Sequence, residues 1–219
     1  HLIILFLIQL GGIGIMTFTS FFGLMFAGKH LSQNKMLIKD LIDPENSVSQ
    51  IFTTLRNIIF ITIAIELIGA ISVYKAMGDY TLYGAFVAIF HSVSAFCNAG
   101  FSTLETGLFH PDFRNNYLLL NSLSWLIIFG GIGFPILFNI WQWIKQQIVR
   151  LLDRIFHRNQ RIFDYKARTL TSNTVIAVIM TIILVVGGTI IFFMTEYNNV
   201  LRDDTSLWGK LSTSFFLAT

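Results

Sequence analysis

Few residues in this chain could do chemistry, and those that could stand among apolar neighbours. Glu66 lies within the run IAIELIGAIS at 63–72, and His91, Asn98, Ser102 and Thr103 lie within YGAFVAIFHSVSAFCNAGFST at 83–103. A carboxylate in such a run costs several kcal/mol unless it faces a polar interior, so Glu66 marks a functional site. Its expected task is to brace the turn of small residues around Gly100. It would do so by accepting hydrogen bonds from that turn's backbone N–H groups, or from His91 or Asn98. A direct ion ligand or a proton relay is the lesser reading, because one acid without a partner makes a poor relay. An intramembrane enzyme using Glu66 and His91 as an acid–base pair is the alternative from another class. No nucleophile, metal set or phosphate-binding motif accompanies that pair, so the chain is not expected to be an enzyme. Glu105, His110 and Asp112 sit close together, but Gly107 and Pro111 interrupt any helical register and the spacing fits no zinc motif. The single cysteine, Cys97, excludes a disulfide framework and any CxxC site.

The elements that must hold these residues are set by hydrophobicity. Of the 219 residues, 54% are hydrophobic and 12% charged, and the mean hydropathy is +0.67, values outside the range of soluble domains. Runs long enough to span a bilayer fall at 1–27, 51–74, 117–144 and 170–194. The stretch 84–97, as a helix of about 21 Å, falls short of the roughly 30 Å hydrocarbon core. Its role follows from loop charges. If it turns back, the loop bearing Lys29, Lys35 and Lys39 and the basic segment 145–168 share one face, the cytoplasmic one. The other face then keeps Lys75, Arg114, Arg202 and Lys210, diluted by acids. Re-entry therefore gives the consistent topology, and non-helical backbone at membrane depth reads as part of a permeation path. The net charge of +3 resides mostly in 145–168 and favours anionic headgroups over nucleic acid. The chain starts and stops inside apolar runs and reads as a fragment of a longer protein.

The first and third runs each contain Gly-Gly-Ile-Gly, at 11–14 and 130–133, and Pro135 is expected to kink the third. Tyr83-Gly84 aligns with Trp208-Gly209, and Ile89-Phe90-His91 with Ser214-Phe215-Phe216, at one constant offset. The chain thus repeats a unit of span, short helix, turn and span. A short helix ending in mid-membrane directs its negative dipole end at a cation there, and the carbonyls of the returning loop can replace an ion's hydration shell. Gly100 gives that loop its dihedral freedom. One loop supplies about a quarter of a ring of oxygens, so several units must converge.

The residues QLGGIGIMTF at 9–18, FHSVSAFCNAGFS at 90–102 and GGIGFP at 130–135 resemble the Trk/Ktr/HKT superfamily of potassium transporters, over essentially the whole chain. The resemblance implies an all-α membrane protein of potassium-channel type, with units of span, re-entrant pore helix, filter loop and span. It implies the inner helix of unit one at 1–27, a cytoplasmic loop at 28–50 and a complete unit two at 51–144. Within that unit the outer helix is 51–74, the pore helix 84–97, the filter 98–103 and the inner helix 117–144. The basic cytoplasmic segment 145–168 follows, and 169–219 is the outer helix and pore helix of unit three. It further implies that carbonyls of Cys97, Asn98, Ala99, Gly100 and Phe101 contact potassium, with the ion at Asn98, Ala99 and Gly100 and with Glu66, His91 and Ser102 in support. Potassium is then the transported ion, with no covalently bound cofactor. The implied surroundings are the lipid of the plasma or inner membrane, a second copy in a homodimer, and a cytoplasmic nucleotide-binding regulatory subunit of the TrkA or KtrA kind. A sodium-permeable member of the same superfamily stays open.

Overall fold

The computed structural model describes residues 1–15, 44–104, 107–109, 111–155, 170–202 and 206–219. Among the described residues there is no strand. The helices are α1 (Leu2–Ile15), α2 (Pro44–Met77), α3 (Leu82–Phe96), the single turn α4 (Pro111–Arg114), α5 (Tyr117–Ile132), α6 (Phe134–Ile155), α7 (Ser172–Thr195) and α8 (Leu207–Ala218). The first apolar run is described only to Ile15, and Lys29, Lys35, Lys39, Glu105, His110 and residues 156–169 lie outside the described residues.

Local chemistry sets the boundaries. Pro44 opens α2, where a missing N–H costs nothing, so the helix starts before the expected residue 51 and residues 44–50 are helix rather than loop. Gly78 follows its end at φ +70°. Thr81 caps α3 by accepting from the Gly84 N–H at 3.0 Å, and Asn116 caps α5 by accepting from Leu119 N–H at 3.1 Å. The expected single inner helix 117–144 is instead two. α5 stops at Ile132, Gly133 takes φ +88°, and α6 leaves at 105°. The break precedes the expected kink at Pro135. Gly133 supplies the unusual dihedral, and Pro135 then falls in the first turn of α6, where its missing N–H is no loss.

α2 and α5 run antiparallel. The Asn116 amide donates to the Ala76 carbonyl, Ser72 and Ser122 share a 2.7 Å hydrogen bond, and Gly69 is close enough to Leu126 that a Cβ there would meet its methyls. α3 lies between them, with Ala88 and Phe96 in a core with Ile58, Val73, Leu119, Leu123, Leu126, Phe134 and Leu137. Because Ala76 and Asn116 touch, the chain leaves α2 and enters α5 at the same end of the bundle. α3, 15 residues long, goes in and its loop comes back, which is the re-entrant arrangement that the charges call for. α1 adds Ile8 against Phe90 and Val93 of α3.

α7 and α8 share features with α2 and α3. Ser206 caps α8 by accepting from Gly209 N–H at 2.9 Å, as Thr81 does for Gly84, each hydroxyl three residues before a glycine. Gly188 of α7 approaches Ala218 of α8, and α5 holds α8 through an Asn121–Ser212 hydrogen bond of 3.1 Å and the Trp125–Phe215 ring contact. Leu55–Met77 of α2 and Ser172–Thr195 are each long and apolar enough to cross a membrane, and the α5–α6 pair passes the same test only when taken together.

Candidate functional site

The end of α3 is where four helices meet one loop. The Asn98 N–H donates to Ala95 C=O at 3.1 Å and the Ala99 N–H to Ser94 C=O at 2.8 Å, with Asn98 left-handed at φ +53°. This is the Schellman ending, and Asn is among the few side chains that tolerate that dihedral. Gly100 repeats the left-handed turn at φ +71°. Two left-handed residues separated by Ala99 reverse the chain within a few residues. Asn98, Gly100, Phe101 and Ser102 are exposed on this chain, while α3 behind them is buried.

Two side chains of α3 hold the returning strand. The Ser94 hydroxyl donates to the Phe101 carbonyl at 2.7 Å. His91 Nδ1 is 2.8 Å from the Val87 carbonyl and Nε2 is 2.9 Å from the Ser102 hydroxyl. A carbonyl can only accept, so in the neutral ring Nδ1 carries the proton and Ser102 donates to Nε2. Ser102 in turn accepts from the Leu104 N–H at 3.1 Å. The loop is thereby fixed at Phe101 and Ser102.

Glu66 approaches from α2. Ten residues separate it from Ala76, about 15 Å along the helix and so about half of a hydrocarbon core. It is buried, and its carboxylate accepts from the Gln9 amide of α1 at 3.0 Å and from the Cys97 thiol at 3.9 Å. Its own carbonyl accepts from the Ser92 hydroxyl at 2.7 Å. The expected partners, loop N–H groups, His91 and Asn98, are therefore replaced by Gln9 and Cys97. His91 is committed to Val87 and Ser102, and Asn98 places its amide nitrogen beside Gly130 and Gly131. Glu66 and His91 thus serve different partners and do not form an acid–base pair. Among the described residues no group of three His, Cys, Asp or Glu could hold a metal ion.

The two glycine motifs meet the same point from opposite sides. A Cβ at Gly12 of α1 would strike the Cys97 side chain, and one at Gly130 of α5 would strike the Phe96 carbonyl. α1 and α5 can close on the end of α3 only because those positions are bare.

The structure brings Glu66, His91, Cys97, Asn98, Ala99, Gly100, Phe101 and Ser102 into one assembly. Gln9, Ser94, Gly12 and Gly130 belong to it as well and were not singled out by function in the sequence. Gln9 is a polar residue in an apolar run, which was a usable signal. Replacing Glu66 with leucine leaves the half-buried Gln9 amide without its acceptor, at a cost of about 1 kcal/mol. A lowered unfolding midpoint of the purified full-length protein is the expected result, and an unchanged midpoint would remove Glu66 from the support of this loop.

The sequence profile described as "TrkH: Cation transport protein" matches residues 2–219. The chain is similar to the potassium/sodium uptake protein NtpJ of Enterococcus hirae, with 29% identity over 99% of this chain and 43% of that protein. It is 30% identical to Ktr system potassium uptake protein B of Vibrio alginolyticus, over 97% of this chain and 41% of that protein. Ktr system potassium uptake protein B of Bacillus subtilis is 30% identical over 63% of this chain. The chain thus spans about two fifths of the length of the first two relatives.

Proposed function

The chain belongs to the TrkH family of cation transport proteins, and from that premise we propose that it forms part of the pore of a potassium uptake protein. As a member of this family with membrane-spanning helices it is an integral membrane protein. The loop after α3 is one section of the selectivity filter. Carbonyls from Cys97 to Gly100 replace water around the ion, while the Phe101 carbonyl is drawn back toward α3 by Ser94. The observation that carries this reading is the doubly left-handed loop, exposed on its own chain yet clamped from behind by Ser94 and His91.

Transport of a dehydrated ion needs oxygens that neither collapse nor drift, and the two clamps give the loop that stiffness. One loop offers only part of a ring. The remaining oxygens come from equivalent loops, and α7 with α8 supplies the approach to the next one. Potassium is bound only in transit, so no resident cofactor is required. The relatives' names support potassium as the ion, and one of them names sodium too, so assays include both. Two relatives are named as component B of a Ktr system. That lettering supports a further subunit, which we take to be a cytoplasmic nucleotide-binding regulator, acting on a homodimer of the full-length protein.

The test is potassium and sodium uptake by the full-length protein in sealed vesicles, with Ser94→Ala beside the parent. Loss of one buried hydrogen bond costs about 1 kcal/mol, so the variant folds, and about a fivefold loss of preference for potassium over sodium is expected. Unchanged uptake and preference would remove the clamp from the filter.

A further inference from the structure

α6 has a face that the pore does not use. Phe134, Leu137, Phe138, Trp141, Ile144 and Ile148 recur at helical spacing along it. Phe134 and Leu137 are buried in the core shared with α2, α3 and α5, and Phe138 lies against that core. Trp141, Ile144 and Ile148 continue the same stripe beyond the bundle and are 53%, 38% and 52% exposed. Gln142 and Gln146 fall on the other side of the helix by the same register.

Orientation decides what the stripe meets. Where α5 runs along the membrane normal, the 105° bend lays α6 close to the membrane plane. The Asn139 side chain accepts from Thr171 N–H at 3.1 Å, which holds the start of α6 at the level where α7 enters its span. Trp141, Ile144 and Ile148, in line with residues buried in the bundle core, face the hydrocarbon, so a soluble protein approaching from the aqueous side would meet Gln142, Trp143 and Gln146. Trp141 suits the boundary between hydrocarbon and headgroups. Lys145 lies within a helical turn of Trp141 and Ile148, at the margin where its stem can follow the apolar surface and its ammonium reach phosphate. The helix sequence adds Arg150 and Arg154 against a single acid, Asp153.

We infer that α6 is an in-plane anchor that lies on the leaflet where α5 ends and α7 begins and takes anionic phospholipid headgroups there. The inference goes beyond the filter reading and shares with it only the direction of α5 across the bilayer. An apolar stripe flanked by Lys145, on a helix whose sequence is otherwise basic, is what binds an anionic membrane surface, by buried area and by charge together. It also fixes the end of α5 two residues beyond Gly130, which touches the filter loop.

The experiment places an environment-sensitive fluorescent amino acid at position 142, 144, 146 or 148 of the full-length protein, reconstituted in vesicles rich in phosphatidylglycerol or made of phosphatidylcholine alone. In the anionic vesicles, positions 144 and 148 are expected to show blue-shifted emission, quenching by lipid-borne nitroxide and loss of quenching by iodide. Positions 142 and 146 show the reverse, and the contrast shrinks in phosphatidylcholine. Equal iodide quenching at all four positions would overturn the anchor. An undiminished contrast in phosphatidylcholine would overturn the anionic specificity, and shielding that develops only on adding a cytoplasmic protein would make the occupant a protein instead. Potassium uptake, measured on the same vesicles, reports on the filter separately.

Discussion

Replacing Gly130 with alanine is expected to abolish most potassium uptake, although the change adds one methyl group. That methyl would fall on the Phe96 carbonyl oxygen, which is backbone at the last turn of α3 and cannot swing aside. Either α5 withdraws or the end of α3 shifts, and overpacking of this kind costs about 1–3 kcal/mol. Alanine's better helix propensity returns about 1 kcal/mol of that, so the protein folds while the loop proposed as its filter is displaced. A fall in initial uptake rate of about tenfold or more corresponds to 1.4 kcal/mol of added barrier. The control is the adjacent Gly131→Ala, whose new methyl meets only the Asn98 amide nitrogen at 3.8 Å, an ordinary contact. Its uptake should stay close to that of the parent. Equal rates for the two variants would mean that the packing of α5 on Phe96 does not govern the filter.

Gly100→Ser should act by another route. Nothing lies within 4 Å of a Cβ at that position, so there is no steric clash, but the residue sits at φ +71°. An L side chain there costs about 1–2 kcal/mol, and the loop can relieve it by turning its peptide planes. The expected result is a small change in the unfolding midpoint together with about a tenfold loss of preference for potassium over sodium. Asn98→Gly, at φ +53°, removes a dihedral strain and should leave the backbone turn intact. Unchanged selectivity in Gly100→Ser would remove this loop from the ion path.

Much of this was legible in the chain because the bilayer makes strong demands on sequence. A 15-residue apolar helix cannot cross, and cationic loops on both flanks require it to turn back, so the re-entrant segment followed from length and charge. The repeat showed itself at Gly84 and Gly209, and the structure adds the reason, a hydroxyl cap three residues earlier in each case. Less legible was which polar groups would meet. Glu66 was visible as a buried acid, but its partner Gln9 lies 57 positions away on another helix, and no local pattern encodes that pairing. The glycine motifs look alike, yet the contact is made by the second glycine in α1 and the first in α5. That difference depends on the direction from which each helix approaches α3. Pro135 drew attention to a kink, whereas Gly133 supplied the dihedral that breaks the helix.

The most direct test of the ion path is a structure of the full-length protein grown with thallium in place of potassium, examined by anomalous scattering. The account predicts a peak on the pore axis within coordination distance of the carbonyls of Cys97 to Gly100, with the Phe101 carbonyl turned toward Ser94. Thallium bound elsewhere in the protein, with these carbonyls facing a protein wall, would contradict it.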